Sequence, residues 1–536
     1  MKKALKNPLR LGQVATGTLL GALLLVSSCK NYTELNPLAS LSETTAFTSP
    51  NSIELVANGV YQAAAVGLYN GGAGRGYPFG AAAIEQDEMR GEDMVNLQAF
   101  YDITYRATYN TTSANNVNLW EQLYALINQT NVLIDGVSKA GTSGIITPTV
   151  AIQYEAEGRF LRALSHHELL IHFSRPFADG AGSKPGVPYR EKAITSTTSV
   201  QEGLAQDRGT VAQTYAKILT DLDFAEANLP ATRSGTGAAN GIARATSGAA
   251  IALKTRIKLH MQDWAGVVTE GAKLGTAATT GTFTSPIGSY KLEASPETPF
   301  TSYQANTESI FSIANSATSN GGTNGALPGM LGPVSLGGRD LVATSPNLYN
   351  APFWVTGDTR RTLLQVKQST GSYPFYFNYK YRQYTTRADW APILRYPEVL
   401  LNVAEAYARQ NTTAQAFLLL NAVRNRSVPA AERFTTAPAD LIQAILNERR
   451  IEFAGEGRRW PDIHRLSQDT KYSTGGIPAK VDVSQIKATS YDLTARPMLT
   501  PIIAAIPYND YRYLWPIPTS EISINPTLRA QQNPNY

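Results

Sequence analysis

The stretch from Ala391 to Leu466 constrains this protein most, because its apolar residues keep helical spacing through three consecutive runs. In Ala391 to Arg409, Tyr396, Val399, Leu400, Val403, Ala404, Tyr407 and Ala408 share a stripe, with Asn402, Glu405 and Arg409 on other faces. A second run, Thr413 to Arg426, follows after a connection short enough to force an antiparallel neighbour. A third, Asp440 to Phe453, places Leu441, Ile445, Glu448 and Glu452 on one row and Ile442, Leu446, Arg449 and Phe453 on the next. Asp440 stands where a helix N-terminus favours negative charge. Helices of this kind bury their apolar stripes on each other, so a mainly helical fold is expected.

The end of this stretch, NERRIEFAGEGRRWPDIHRL, is dense in acids and arginines around Phe453, Trp460 and Ile463. An acid pair beside a histidine can signal catalysis, but an ion-pair cluster of Glu448, Arg449, Glu452 and Arg459 accounts for it better. Arg449 and Glu452 are three apart on a helix and can pair, Glu448 can take an arginine from the turn beyond, and the planar arginine fork suits buried carboxylates. The strings LRYPEVLLNVAEAYAR, LNAVRNRS, ILNERRIEFAGEGRRWPDIHRL and LWPIPTSEISINPTLRAQQNPNY, in this order, resemble the C-terminal half of the SusD/RagB family of outer-membrane lipoproteins. EAEGRFLRALSHHELLIHFSRPFAD resembles the family's E-x-x-F-L-R-A motif, with His166 where an aromatic is common. GDTRR, residues 357 to 361, resembles its D-x-R-R turn, read as a structural ion pair.

Residues 1 to 28 read as a bacterial export signal: Lys2, Lys3, Lys6 and Arg10 precede an apolar run too short and too Gly/Thr-broken for a membrane span. Val26, Ser27, Ser28 and Cys29 fit a lipoprotein cleavage box, and Cys29, the single cysteine, is the expected lipidation site on a tether of residues 29 to 40. Of the 47 Lys and Arg, four lie in residues 1 to 28 and no acid does, leaving 43 bases against 42 acids. The apparent basicity belongs to the signal, so nucleic acid is not an expected partner.

Helical stripes recur at Ser49 to Val66, Asn116 to Val137, Tyr154 to Phe173, Val211 to Leu229, Ala245 to His260 and Asp263 to Lys273. Helical pairs about 34 residues long without a clean consensus read as degenerate tetratricopeptide repeats, over about 115 to 274 and 391 to 455. His166, His167 and His172 share one helix, but His167 and His172 are five apart rather than the four of a helical metal pair, so ordinary partly buried histidines are expected. Five acids between Glu85 and Asp93 carry no calcium-loop spacing and are read as solvated charge.

A loop-rich region is expected over about 67 to 110 and 275 to 390. GLYNGGAGRGYPFG, residues 67 to 80, lacks the Lys-Ser/Thr ending of a phosphate loop and reads as a mobile surface loop. Leu274 to Trp390 is irregular yet rich in rings, which disfavours disorder, and alternation in YPFYFNYKYRQY suggests that about half of those rings face a core. Flat rings with amides and arginine suit sugar or peptide capture, and Tyr69, Tyr77, Trp354, Tyr373 and Tyr376 are the candidate ligand contacts, with Trp354 expected to be exposed. The resemblance implies a right-handed tetratricopeptide-like superhelix carrying these loops, a single domain over residues 41 to 536, and no cofactor or catalytic residue. It further implies a lipid-anchored capture protein at the cell outer membrane that hands oligosaccharide or peptide to a SusC-type TonB-dependent transporter. The alternatives are a surface-anchored glycoside hydrolase, which would need two carboxylates flanking a sugar cleft, and a helical-repeat scaffold.

Overall fold

In the computed structural model, which describes residues 45–67, 76–234, 241–368 and 374–536, the helical spacing becomes a succession of helices. The signal segment, Cys29 and its tether, Tyr69 and Tyr373 lie outside the described residues. The helices of two turns or more are α1 (Pro50–Val66), α2 (Ala81–Met89), α3 (Ala114–Thr142), α4 (Pro148–Phe173), α5 (Thr197–Ala205) and α6 (Val211–Asn228). They continue with α7 (Ser247–His260), α8 (Trp264–Lys273), α9 (Tyr396–Arg409), α10 (Thr413–Arg424), α11 (Leu441–Glu452) and α12 (Arg459–Leu466). Contacts delimit a unit Met1–Val56, described only from residue 45 as a turn leading into α1, and a unit Ala57–Tyr536.

Within the larger unit α3 packs on α4, α4 on α6, α6 on α7, α7 on α8, α8 on α9, and α9 on both α10 and α11. Start signals are read out as side-chain caps: Thr147 accepts from the Val150 N–H with Pro148 at the first position, Thr210 and Gln213 form a capping box, and Thr246 accepts from Ala249. Helix α7 touches α6, α8 and α9, and its buried Ala249, Ala250 and Ala252 let three neighbours approach. Helix α9 returns to α7 and α8 although residues 274–395 intervene. The ring-rich segment is therefore an excursion from a helical stack that closes behind it.

That excursion holds most of the β structure, as antiparallel pairs: β1 (Met94–Asn96) with β3 (Val342–Thr344), β2 (Ser309–Ile313) with β6 (Ala391–Arg395), β4 (Gln365–Lys367) with β5 (Tyr376–Asn378), and β7 (Gly476–Ile477) with β8 (Ile506–Pro507). Strand β6 corrects the expectation of a helix from Ala391. Pro397 has no N–H to donate to the turn before it, so the helix begins at Tyr396 and the preceding residues pair with β2. The alternation in β5 holds: Phe375 and Phe377 enter a core cluster with Val95, Ala343, Val481 and Ile486, while Tyr376 is half-buried. Among the described residues no helix is long and apolar enough to cross a membrane.

Candidate functional site

The turn from β6 into α9 brings Arg395 against the C-terminal end of α11. Its guanidinium reaches Glu308 Oε1 at 2.5 Å, Glu452 Oε1 at 3.0 Å and Glu456 Oε1 at 2.7 Å. Arg426 bridges Glu308 and Glu452, Lys380 meets Glu456 at 2.5 Å, and Arg424 meets Glu448 at 3.1 Å. Arg360, from the GDTRR turn, pairs with Asp358 at 2.7 Å, Glu448 at 2.7 Å and Glu452 at 2.9 Å, as the structural reading of that turn expects. Five carboxylates thus meet five cations in a buried frame. Burial opposes the charge on Glu452, but Arg426, Arg395 and Arg360 outweigh it and hold the carboxyl far below the usual range.

The four residues of the expected cluster are all in ion pairs, with partners that differ from the expected ones. Arg449 binds Asp462 at 2.8 Å and Asn402 at 2.6 Å rather than Glu452, because positions three apart on a helix diverge by about 60° and Glu452 turns toward β6. Glu448 takes Arg360 and Arg424, and Arg459 Nε donates to Glu92 Oε2 at 3.0 Å. Sequence reasoning misses Lys380, Arg395 and Glu308, and the reach of Arg360 to Glu448 and Glu452, because these partners lie far away along the polypeptide, where periodicity carries no signal.

Of the five acids from Glu85 to Asp93, all but the half-buried Glu92 are buried rather than solvated. Every residue of α2 is buried, Glu85 at 0% exposure, because the helix is enclosed by residues from both halves of the sequence. Glu88 Oε1 accepts the Gly455 and Gly457 N–H groups at 3.0 and 2.9 Å, joining α2 to the turn between α11 and α12, where both glycines have the positive φ that a side chain disfavours. Burial pushes Glu85 well above the usual carboxylate range, Asp87 up to about 6 with help from Glu168, and Glu88 up to about 8. Arg90 lies 3.5 Å over the Trp460 ring and donates to the Tyr513 carbonyl. Glu92 and Asp93 are paired with Arg459 and Arg450.

Asp87, Glu168 and His172 form the one group among the described residues whose ligand atoms converge as a metal ion requires. Arg90 Nη1 sits 3.1 Å from His172 Nδ1, and a guanidinium only donates, so Nδ1 accepts and the ring proton lies on Nε2. Nε2 in turn faces Asp87 Oδ1 at 3.0 Å and Glu168 Oε1 at 3.5 Å. A metal would need the lone pair that this proton occupies, so the trio holds a proton. His166, His167 and His172 are fully rather than partly buried. His166 acts as an aromatic: its ring stacks on Tyr189 with centroids 3.8 Å apart, Nδ1 donates to the Arg162 carbonyl at 2.9 Å and Nε2 accepts from Arg190 N–H at 3.1 Å. Burial pushes its pKa down to about 3.

Of the candidate ligand rings, Trp354 is 1% exposed, which corrects the expectation of exposure. Arg361 clamps it, with the guanidinium 4.2 Å over the indole and donating to the carbonyls of Trp354 and Tyr349 at 2.5 and 2.8 Å. A stacking platform must be open, so Trp354 serves packing. Tyr77, at 2% exposure, likewise accepts at its hydroxyl from Gln86 Nε2 at 3.2 Å inside the core, and Phe79 is buried too, contrary to a surface loop. Tyr376 stacks on Tyr349 at 4.2 Å, leaving one face half-covered beside Tyr491. The carboxylates of the ionic frame are buried against cations, and Asp87 and Glu168 against one another across His172.

A family model described as the SusD family matches residues 307–536, and one described as starch-binding, associating with outer membrane, matches residues 36–259. No curated protein matches this sequence. Among solved structures, a SusD superfamily protein from Bacteroides fragilis is similar at 26% identity and TM-score 0.70, over 90% of this chain and 99% of that one. Surface glycan-binding protein A from Bacteroides uniformis is similar at 19% identity and TM-score 0.65, over 90% and 99% of the two proteins. A laminarin binding SusD-like protein is similar at 20% identity and TM-score 0.64, over 91% and 100%. The last two likenesses are of fold.

Proposed function

The chain belongs to the SusD family, and from that premise we propose that it is a non-catalytic, lipid-anchored protein of the outer membrane that captures oligosaccharides for a SusC-type TonB-dependent transporter. The observation that carries this reading is the pair of family models, which between them match residues 36–259 and 307–536, the first being described as starch-binding and associating with outer membrane. The glycan-binding and laminarin binding descriptions of two relatives of the same fold favour carbohydrate over peptide. Cys29 supplies the anchor, because a lipidated cysteine carries several acyl groups where a single one is marginal.

Two carboxylates flanking an open sugar cleft are what a glycosidase needs. The carboxylates of the ionic frame and of α2 are enclosed instead, which supports capture over cleavage. Ligand contact is assigned to Tyr69, Tyr373 and Tyr376, with Tyr77 and Trp354 as packing residues. The test is a glycan and peptide array probed with the protein beginning after Cys29, together with affinity capture from cells that co-express the transporter. Carbohydrate binding with transporter recovery is the expected result; exclusive peptide binding, or cleavage of the captured glycan, overturns it.

A further inference from the structure

Where α4 ends and the C-terminal segment returns, a cavity of 480 Å³ opens beside Arg175, Asp179, Lys184, Arg208, Tyr508 and Gln531. Its volume falls within the range of small-ligand sites. Its charge is unbalanced. Asp179 is its one carboxylate, 3.6 Å from Lys184 Nζ and accepting the Tyr508 hydroxyl at 2.7 Å. Arg175 and Arg208 form no ion pair among the described residues: Arg175 donates to the Tyr508 carbonyl and lies 4.4 Å over the Tyr508 ring.

Arg208, 3% exposed, donates Nε–H to the Gly186 carbonyl at 2.7 Å, Nη1 to the Gln531 carbonyl at 2.9 Å and Asn533 Oδ1 at 2.8 Å, and Nη2 to the Phe173 carbonyl at 2.8 Å. A guanidinium has five N–H groups, so one Nη2–H is without an acceptor among the described residues, and none of the four bonds brings a negative charge. Burial pushes this cation's pKa down to about 10. A buried charge without a counter-ion is costly, and an anion entering the cavity relieves it.

We propose that this cavity is a binding site for a carboxylate-bearing sugar, a uronic acid. Arg175 and Lys184 meet the carboxylate from the rim with charge-assisted bonds, and Arg208 supplies field from below. Tyr508 lines the wall beneath the Arg175 guanidinium, and Asp179 offers an acceptor for a sugar hydroxyl. The site shares no residue with the ligand contacts proposed above, so its failure leaves that reading intact.

The experiment is calorimetry, with protein-detected NMR, of the protein beginning after Cys29 titrated with D-glucuronate, D-galacturonate, D-glucose and acetate. At least one uronate binds, with glucose and acetate about tenfold weaker or more. Arg175→Gln and Lys184→Gln each weaken the uronate about tenfold with circular dichroism unchanged, and Lys184→Glu, at an exposed position, keeps the test decisive if Arg175→Gln does not fold. No uronate binding, equal binding of glucose, equal binding of acetate as for an unspecific anion site, or full affinity in the Lys184 variants overturns the proposal.

Discussion

Two acid-rich regions of this molecule are equally buried, and their carboxyls shift in opposite directions. At the end of α11, Glu452 and Glu456 face Arg360, Lys380, Arg395 and Arg426, and both carboxyls are held below their usual range despite burial. In α2, Glu85, Asp87 and Glu88 are as enclosed, but the nearest cation of their own segment, Arg90, is committed to the faces of Trp460 and Trp515, and the carboxyls are pushed up. Burial is common to both, so the supply of counter-charge decides the state. A shifted carboxyl is therefore a poor sign of catalysis in this fold, since both kinds of shift arise where distant parts of the sequence are tied together.

The largest break in this comparison is Glu452→Gln. It leaves Arg395 and Arg426 short of a partner in a buried frame, and loss of one member of such a pair costs about 3 to 5 kcal/mol. Urea unfolding at pH 7 checks it, and because the folded carboxyl lies below its unfolded value, the difference should fade as pH drops below about 4.5. Trp354→Ala should cost about 3 to 5 kcal/mol of stability by cavity formation, without a direct effect on ligand affinity.

The same acid-to-amide change should have the opposite sign in α2. The folded Glu88 carboxyl is raised to about 8, so the wild type loses stability as pH climbs from about 4.5 through 8. Glu88→Gln keeps the oxygen that accepts from Gly455 and Gly457, and should raise stability by roughly 1 to 3 kcal/mol at pH 8 with little change at pH 4. Destabilisation at pH 8 would break the contrast between the two regions. Smaller still is His166→Phe, which keeps the ring on Tyr189 but leaves the Arg190 N–H without its acceptor, costing about 1 kcal/mol at pH 7. The folded histidine stays neutral down to about 3 while the unfolded one charges near 6.5, so wild-type stability falls over that interval and the cost of the variant shrinks with it. Thermal unfolding of both proteins from pH 7 to pH 4 reads this directly.

The long helices are legible in the sequence because an amphipathic stripe is a local signal: α6, α7 and α8 begin and end within two residues of the expected spans, and α3 and α4 extend theirs by up to six. Helix α2 is not, because a segment buried on every side has no stripe, and AAAIEQDEM reads as a polar run until the Gly455 turn and Trp460 are placed around it. Strand β6 escapes for the related reason that two-sided burial mimics a helical stripe. The ionic frame is half legible: Glu448, Arg449 and Glu452 stand out as a cluster, but Arg395 and Arg360 reach them only through tertiary structure. Trp354 defeats sequence reasoning because a turn context argues exposure only while the Arg361 clamp is unseen.

One measurement bears most directly on the central claim, that the enclosed acids hold the fold and the protein captures carbohydrate without cleaving it. An oligosaccharide selected on the array is titrated into wild-type protein and into the folded fraction of Glu448→Gln, and the recovered sugar is weighed by mass spectrometry. The account predicts equal affinity for both proteins and an intact oligosaccharide from both. Shortened sugar from the wild type that disappears in Glu448→Gln would contradict it.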